Sequence, residues 1–275
     1  GMDAIVKVLR SPTFGGGCIS NPYKCDVMPH LARISKAAKE IGAVNTVAVL
    51  ADGQIYGHNT DWSSFYKKLV QELRSPRGRT ALVVGSCGTA RAAVYALVKY
   101  GYEKQSVVVH DPLDAKCAAR VAAHFGVRAE AHIEGLRNVN VVIGSFRKFG
   151  SAEMEEFLLP VSVVQQCPLL IDTRYVPLHT KLEEQAAVYG CNTLRGLDLL
   201  ILQSIEQLKL WVGVEHWAMV ESAAPVIDRA VRHLFYQKYV SSHEQAAAAA
   251  AAAGGPPGNP GGPPGVDGDG LEEKL

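Results

Sequence analysis

From Thr80 onward the chain alternates short apolar runs with longer helix-spaced segments, and this alternation most narrows the folds open to it. "TALVVG", "SVVVHD", "VNVVIG" and "PLLIDT" are too short for independent helices and too continuously apolar for half-exposed strands. Between the first three lie "SCGTARAAVYALVKYG" and "LDAKCAARVAAHFG", which carry helical spacing and close on glycine. Strands buried on both faces and separated by helices specify a parallel sheet wrapped by helices, an α/β fold.

Upstream the periodicity differs. "PHLARISKAAKEIG" sets Leu31, Ile34, Ala38 and Ile41 on one helical face ending at Gly42. "VNTVAVL", "DGQ" and "IYGHN" then read as strand, turn and strand, and "TDWSSFYKKLVQELR" as a helix starting near Thr60 or Asp61. "SPRGR" is a linker. Downstream, "GLDLLILQSIEQLKLW" and "HWAMVESAAPVIDRAVRHLFYQKYV" are helical and are expected to pack back on the first domain. From Ser241 an alanine tract able to prolong the last helix gives way to Gly/Pro repeats that cannot build a core.

A 275-residue chain that is 48% hydrophobic can bury a large core. Its formal net charge of +1, without a basic run, argues against a nucleic-acid surface. Six cysteines stand at 18, 25, 87, 117, 167 and 191 with no CxxC spacing, so reduced thiols and no metal site are expected. The start shows no signal-peptide pattern and no run reaches membrane-spanning length, so the expectation is a cytoplasmic protein without membrane contact.

Three places can carry chemistry. The turn Gly85-Ser86-Cys87-Gly88-Thr89-Ala90 follows a strand and opens a helix, where backbone N–H groups can hold a pyrophosphate. It is not an intact GxGxxG, and an ordinary strand-to-helix turn is the alternative. Asp111 ends the next strand, where an acid can accept hydrogen bonds from an adenosine ribose and repel a 2′-phosphate. It can equally be an acid beside a helix N-terminus opened by Pro112. Lys24 and Asp61 can together move a proton at a substrate hydroxyl, or be a surface lysine and a capping aspartate. Asn45 and Gln203 can hydrogen-bond a polyol, although lone amides are usually structural. The repeated Asn-Thr of Asn45-Thr46 and Asn59-Thr60 poses the same choice between capping and function.

Taken together, these stretches resemble the shikimate/quinate dehydrogenase family. "FGGGCISNPYK", "IGAVNTV" with "GHNTDW", "GTARAAVYAL", "IDTRYVPLHTKLEEQAAVYG" and "GLDLLILQSIEQLKLWVG" follow one another in the family's order. "GTARAAVYAL" is similar to the fungal form, the C-terminal domain of the pentafunctional aromatic-synthesis protein. The resemblance implies a partial substrate-binding domain over 1–75 and a Rossmann-like dinucleotide domain over 76–198. Helices over 199–240 would return to the substrate domain, with a disordered tail over 241–275. It implies that Lys24 and Asp61 are the catalytic pair, that Ser20, Asn45 and Gln203 line the pocket of a shikimate- or quinate-like polyol, and that Tyr175 sits near the cleft. Asn59 and Thr60 would shape the turn presenting Asp61.

Departures accompany the match. The family's preceding Ser-x-Ser segment, which binds the substrate carboxylate, is expected to lie before Gly1, making this chain a fragment or a domain of a longer product. Cys87 replaces a glycine in the nucleotide turn. His110-Asp111-Pro112 stands where the family reads a 2′-phosphate, favouring NAD over NADP. "IGSFRKFG" brings bulkier residues beside the expected nicotinamide region. These changes resemble the related fungal quinate repressor, so the second reading is a non-catalytic metabolite sensor. That reading implies a transcription-activator partner, no direct nucleic-acid contact and a nuclear location.

Overall fold

The computed structural model describes residues 1–146, 156–177 and 179–252. The chain forms two compact units, Gly1–Arg229 and Ala230–Leu275.

The first unit opens with α1 (Met2–Leu9), β1 (Gly16–Cys18), β2 (Arg33–Ile34), α2 (Lys36–Ile41), β3 (Thr46–Val49), β4 (Ile55–His58) and α3 (Asp61–Glu72). Its strands make a sheet of order β1-β3-β4-β2. The expected hairpin is present: β3 and β4 pair antiparallel with Thr46 opposite His58. The helix expected across Leu31 to Ile41 is shorter. Arg33 and Ile34 pair in parallel with Tyr56 and Gly57, and Ser35 begins α2 by accepting a hydrogen bond from the Ala38 N–H at 3.2 Å. The periodic apolar residues remain inward, but a sheet edge and a serine cap outweigh helical spacing over the first half.

Next come β5 (Thr80–Val84), α4 (Gly88–Tyr100), β6 (Val107–His110), α5 (Ala115–Phe125), β7 (Arg128–Ala129), β8 (Val139–Gly144), α6 (Val161–Val164), β9 (Leu169–Asp172), α7 (Lys181–Val188) and β10 (Thr193–Leu194). The strands lie in the order β10-β9-β8-β5-β6-β7, and every pairing is parallel. Side chains alternate faces, as the strand period requires. Ala81, Val83, Val107, Val109, Val141 and Ile143 enter one core, while Leu82, Val84, Val108, Val142 and Leu170 enter the other. Both faces are covered, which explains the unbroken apolar runs. Winding reverses at β5, so a crevice forms beyond the C-terminal ends of β5 and β8.

Two further helices complete the first unit. α8 (Gly196–Val212) begins where "GLDLLILQSIEQLKLW" is expected to be helical and lies back against β3, with Trp211 Nε1 donating to the Val47 carbonyl at 3.0 Å. α9 runs from Trp217 to Ala252, its residues from Ala230 on belonging to the second unit. The tail expected to be disordered from 241 is therefore helical to Ala252, consistent with alanine's high helix propensity. The Gly/Pro segment lies outside the described residues. In the second unit, the rings of Phe235 and Tyr239 meet at 4.5 Å, one helical turn apart.

Candidate active site

The paired ends of β3 and β4 build the site. Asn59 donates to the Ala43 carbonyl at 2.9 Å and accepts from the Trp62 N–H at 3.3 Å, so it caps α3 and ties it to the segment between α2 and β3. The other copy of the Asn-Thr motif works across the hairpin. Asn45 Oδ1 accepts from the Thr60 N–H at 2.7 Å and from the Thr46 hydroxyl at 2.8 Å. Its amide nitrogen donates to Asp61 Oδ1 at 2.7 Å and to Thr60 Oγ1 at 3.0 Å. With capping delegated to Asn59, the carboxylate of Asp61 is free to face inward from the first position of α3.

What it faces is Lys24. The ammonium lies 2.5 Å from Asp61 Oδ2, with side-chain exposures of 10% and 4%. A second acceptor for Lys24 comes from the nucleotide-type turn: Thr89 Oγ1, 2.8 Å from Nζ. The lysine backbone is fixed by a 2.7 Å hydrogen bond from the Val44 N–H to its carbonyl. Lys24 and Asp61 are thus neither a surface lysine nor a simple cap.

These groups open on a cleft of about 190 Å³. Ser20, Lys24, Asn45, Asp61, Tyr175 and Gln203 all line it, so every residue expected on the substrate side comes to one place. Gln203 Oε1 is 3.4 Å from Asn45 Nδ2. Lys24 and Asp61 are the charged members of the lining, set among hydroxyls, amides and apolar walls such as Phe65 and Leu199. That composition suits a compact polyol whose hydroxyls both donate and accept.

Two features escaped the sequence. Thr89, expected on the cofactor side, also lines this cleft and contacts the lysine. Gln207 donates to Thr46 Oγ1 and accepts from the Cys18 thiol, both at 3.1 Å, extending the polar network down α8. The Gln203–Gln207 spacing of four residues on one helix face was the signal available.

Apart from Thr89, the residues expected on the cofactor side do not line that cleft. Gly85 has φ +112°, and a Cβ there would fall 1.9 Å from the Ser145 carbonyl oxygen, so the turn demands glycine. Cys87 is buried, its sulfur 3.4 Å from Ser145 Oγ and 3.5 Å from Asn21 Nδ2. No side chain caps α4, so the N–H groups of Gly88, Thr89 and Ala90 remain an anion-binding helix terminus. Asp111 is buried: Ser86 Oγ donates to it at 2.5 Å, and the Leu113 and Asp114 N–H groups at 3.0 and 3.1 Å. Pro112 does not start the next helix, because Asp114 caps α5 through the Cys117 N–H at 2.8 Å. The turn thus leaves the start of α4 without a side-chain cap, beside a buried acid at the end of β6. Of "IGSFRKFG", Arg147 to Gly150 lie outside the described residues.

Beneath Tyr175 is a buried charge cluster. Arg174 grips Asp172 at 2.6 Å, and Thr180 donates to the same carboxylate at 2.8 Å. Glu183 has a buried oxygen without a hydrogen-bond partner, and Arg195 Nε is 3.7 Å away. Burial, and then the Asp172 charge, push the Glu183 carboxyl up to about 7. Among the described residues no group of three or more His, Cys, Asp or Glu is placed to hold a metal. None of their helices is long and apolar enough to cross a membrane.

A parallel sheet wound in this order, with a glycine turn at its switch point and a polar cleft beside it, defines an α/β protein of the Rossmann-like class. Residues 1–47 match the family model described as "Shikimate dehydrogenase substrate binding domain". The chain is 32% identical over 227 residues to a quinate/shikimate dehydrogenase (NAD(+)) of Corynebacterium efficiens, covering 78% of each protein. It belongs to the shikimate dehydrogenase family.

Two solved structures agree with this placement. Shikimate 5-dehydrogenase of Thermus thermophilus, in complex with NADP(H) and shikimate, superposes with a TM-score of 0.61 at 28% identity. That match covers 82% of this chain and 83% of the other. The dehydroquinate dehydratase and shikimate dehydrogenase of S. pombe AroM gives a TM-score of 0.58 at 28% identity, over 77% of this chain and 43% of that one.

Proposed function

We propose that the chain carries a shikimate/quinate dehydrogenase activity in which Lys24 and Asp61 move the hydroxyl proton. The observation carrying this is the buried Lys24–Asp61 contact at the floor of a polyol-sized cleft, held by Asn45 and Thr89. Residues 1–75 with α8 would bind the polyol, and residues 76–198 the dinucleotide. The match to S. pombe AroM supports a fungal-type domain.

A nicotinamide dinucleotide, when bound, takes or gives the hydride at the ring carbon. This chain's residues supply the rest. Gln203, Ser20 and Tyr175 orient the ring by hydrogen bonds to its hydroxyls. Lys24 and Asp61 accept the proton leaving the reacting oxygen in oxidation and return it in reduction. Asn45 holds Asp61 by one oxygen, leaving the other for the lysine, so the pair is set before substrate arrives. The acid at Asp111 favours NAD over NADP.

A second reading, a non-catalytic sensor of the same polyols within a repressor, draws on Cys87. Its side chain fills the junction of the nucleotide turn with Ser145 and Asn21. Initial rates with shikimate and quinate on NAD and NADP separate the two, with Lys24→Met as control. Turnover that disappears in the variant supports the dehydrogenase. Polyol binding by calorimetry without Lys24-dependent turnover overturns it in favour of the sensor.

A further inference from the structure

At the opposite end of the parallel sheet, two cysteines stand immediately before paired strands. β9 and β10 align Leu170 with Thr193, and the Leu170 N–H donates to the Asn192 carbonyl at 2.8 Å. Cys167 precedes Leu169 by two residues, and Cys191 precedes Thr193 by two. The thiols cross over. Cys167 Sγ is 3.2 Å from the Tyr189 carbonyl, while Cys191 Sγ is 3.5 Å from the Val164 carbonyl. Each therefore reaches the segment carrying the other.

The surroundings of the two sulfurs differ. Cys167 is exposed, with φ +50°, a left-handed conformation that a β-carbon disfavours. It lines a cavity of about 440 Å³ together with Arg74, Arg77 and Arg79, and no acid contributes to that lining. Among the described residues these three guanidinium groups have no carboxylate within salt-bridge reach. Reactive thiols occupy such electropositive, solvent-open settings. Cys191 lies further in, and burial pushes its thiol up to about 11. One sulfur is placed to meet a reagent, the other to resolve what forms.

We propose that Cys167 and Cys191 form a redox-active thiol pair, a modification site at which a hydroperoxide closes an intramolecular disulfide. The Cys167 sulfur attacks the terminal peroxide oxygen and the O–O bond breaks. The alcohol, or water when the oxidant is hydrogen peroxide, leaves with the thiol proton, and Cys167 becomes a sulfenic acid. The Cys191 sulfur then attacks that sulfur, the S–O bond breaks, and hydroxide departs with the Cys191 proton as water. Two thiols are oxidised and one peroxide is reduced. The bridge closes a loop of about 25 residues. It pins β9, which leads to Tyr175, against β10, which leads into α8 and Gln203.

The test treats the reduced full-length chain with a few equivalents of hydrogen peroxide, followed by alkylation and non-reducing peptide mapping. The expected product is one cross-linked peptide pair joining Cys167 to Cys191, two hydrogens lighter than the reduced pair and reopened by dithiothreitol. Cys191→Ser should abolish the bridge and leave a Cys167 sulfenic acid that dimedone captures. Cys167→Ser should yield neither product. Full alkylation of both cysteines in the treated wild-type chain overturns the proposal. So does a bridge formed preferentially among Cys25, Cys87 and Cys117.

Discussion

Replacing Lys24 by Met and Asp61 by Asn, singly and together, tests the site through stability as well as activity. The two side chains are 10% and 4% exposed and in contact at 2.5 Å. Removing one member of such a pair leaves the other charge buried, typically at a cost of about 3–5 kcal/mol. Asp61→Asn strands the ammonium on the Thr89 hydroxyl and turns an amide dipole toward it, so the upper half of that range is expected. Lys24→Met leaves the Asp61 carboxylate with the Asn45 N–H at 2.7 Å, so its cost falls nearer the lower end. The double variant buries no charge and should lie within about 1–2 kcal/mol of wild type. Urea unfolding followed by tryptophan fluorescence should then give a coupling energy of about 5 kcal/mol or more. Turnover should vanish in all three, so the double variant regains stability without regaining function. Single-variant costs that add within about 0.5 kcal/mol would show that the two charges do not sense one another, and the buried-pair reasoning would be wrong.

Thr89→Val keeps the side-chain shape but removes the acceptor at 2.8 Å from Lys24. A hydrogen bond to a charged group contributes about 1.5–3 kcal/mol, so kcat should fall roughly 10- to 100-fold. Thr89→Ser should retain activity; a rise in dinucleotide KM alone would return Thr89 to a purely cofactor-binding role. Glu183 is shifted up from 4.5 to about 7, so the folded chain holds its proton more tightly than the unfolded chain does. Stability should therefore decline as pH rises through that window. Glu183→Gln should flatten the decline and raise stability at pH 8 by about 1–3 kcal/mol, and an unchanged pH profile of Tm would contradict the shift. Calorimetry should find NAD bound at least about tenfold more tightly than NADP, given a carboxylate at the ribose end, and tighter NADP binding would remove Asp111 from that role.

The sequence alone determined the parallel sheet, because "TALVVG", "SVVVHD", "VNVVIG" and "PLLIDT" are apolar on both faces. It determined the hairpin too, since "VNTVAVL" and "IYGHN" flank the short polar turn "DGQ". Order and family resemblance also pointed to Lys24, Asn45, Asp61 and Gln203 as one site. Pattern misled where pairing overrode it: Arg33 and Ile34 joined a sheet edge despite their helical spacing. Only the tertiary structure decided that Asn59 caps α3 and so releases Asp61 inward, because a cap is a hydrogen bond and not a residue type. It alone placed Thr89 on Lys24, 65 positions away, and showed Asp111 already engaged by Ser86 and two backbone amides. The same holds for Cys167 and Cys191. Their spacing of 24 residues carries no meaning in one dimension, and they come near one another because two parallel strands begin side by side.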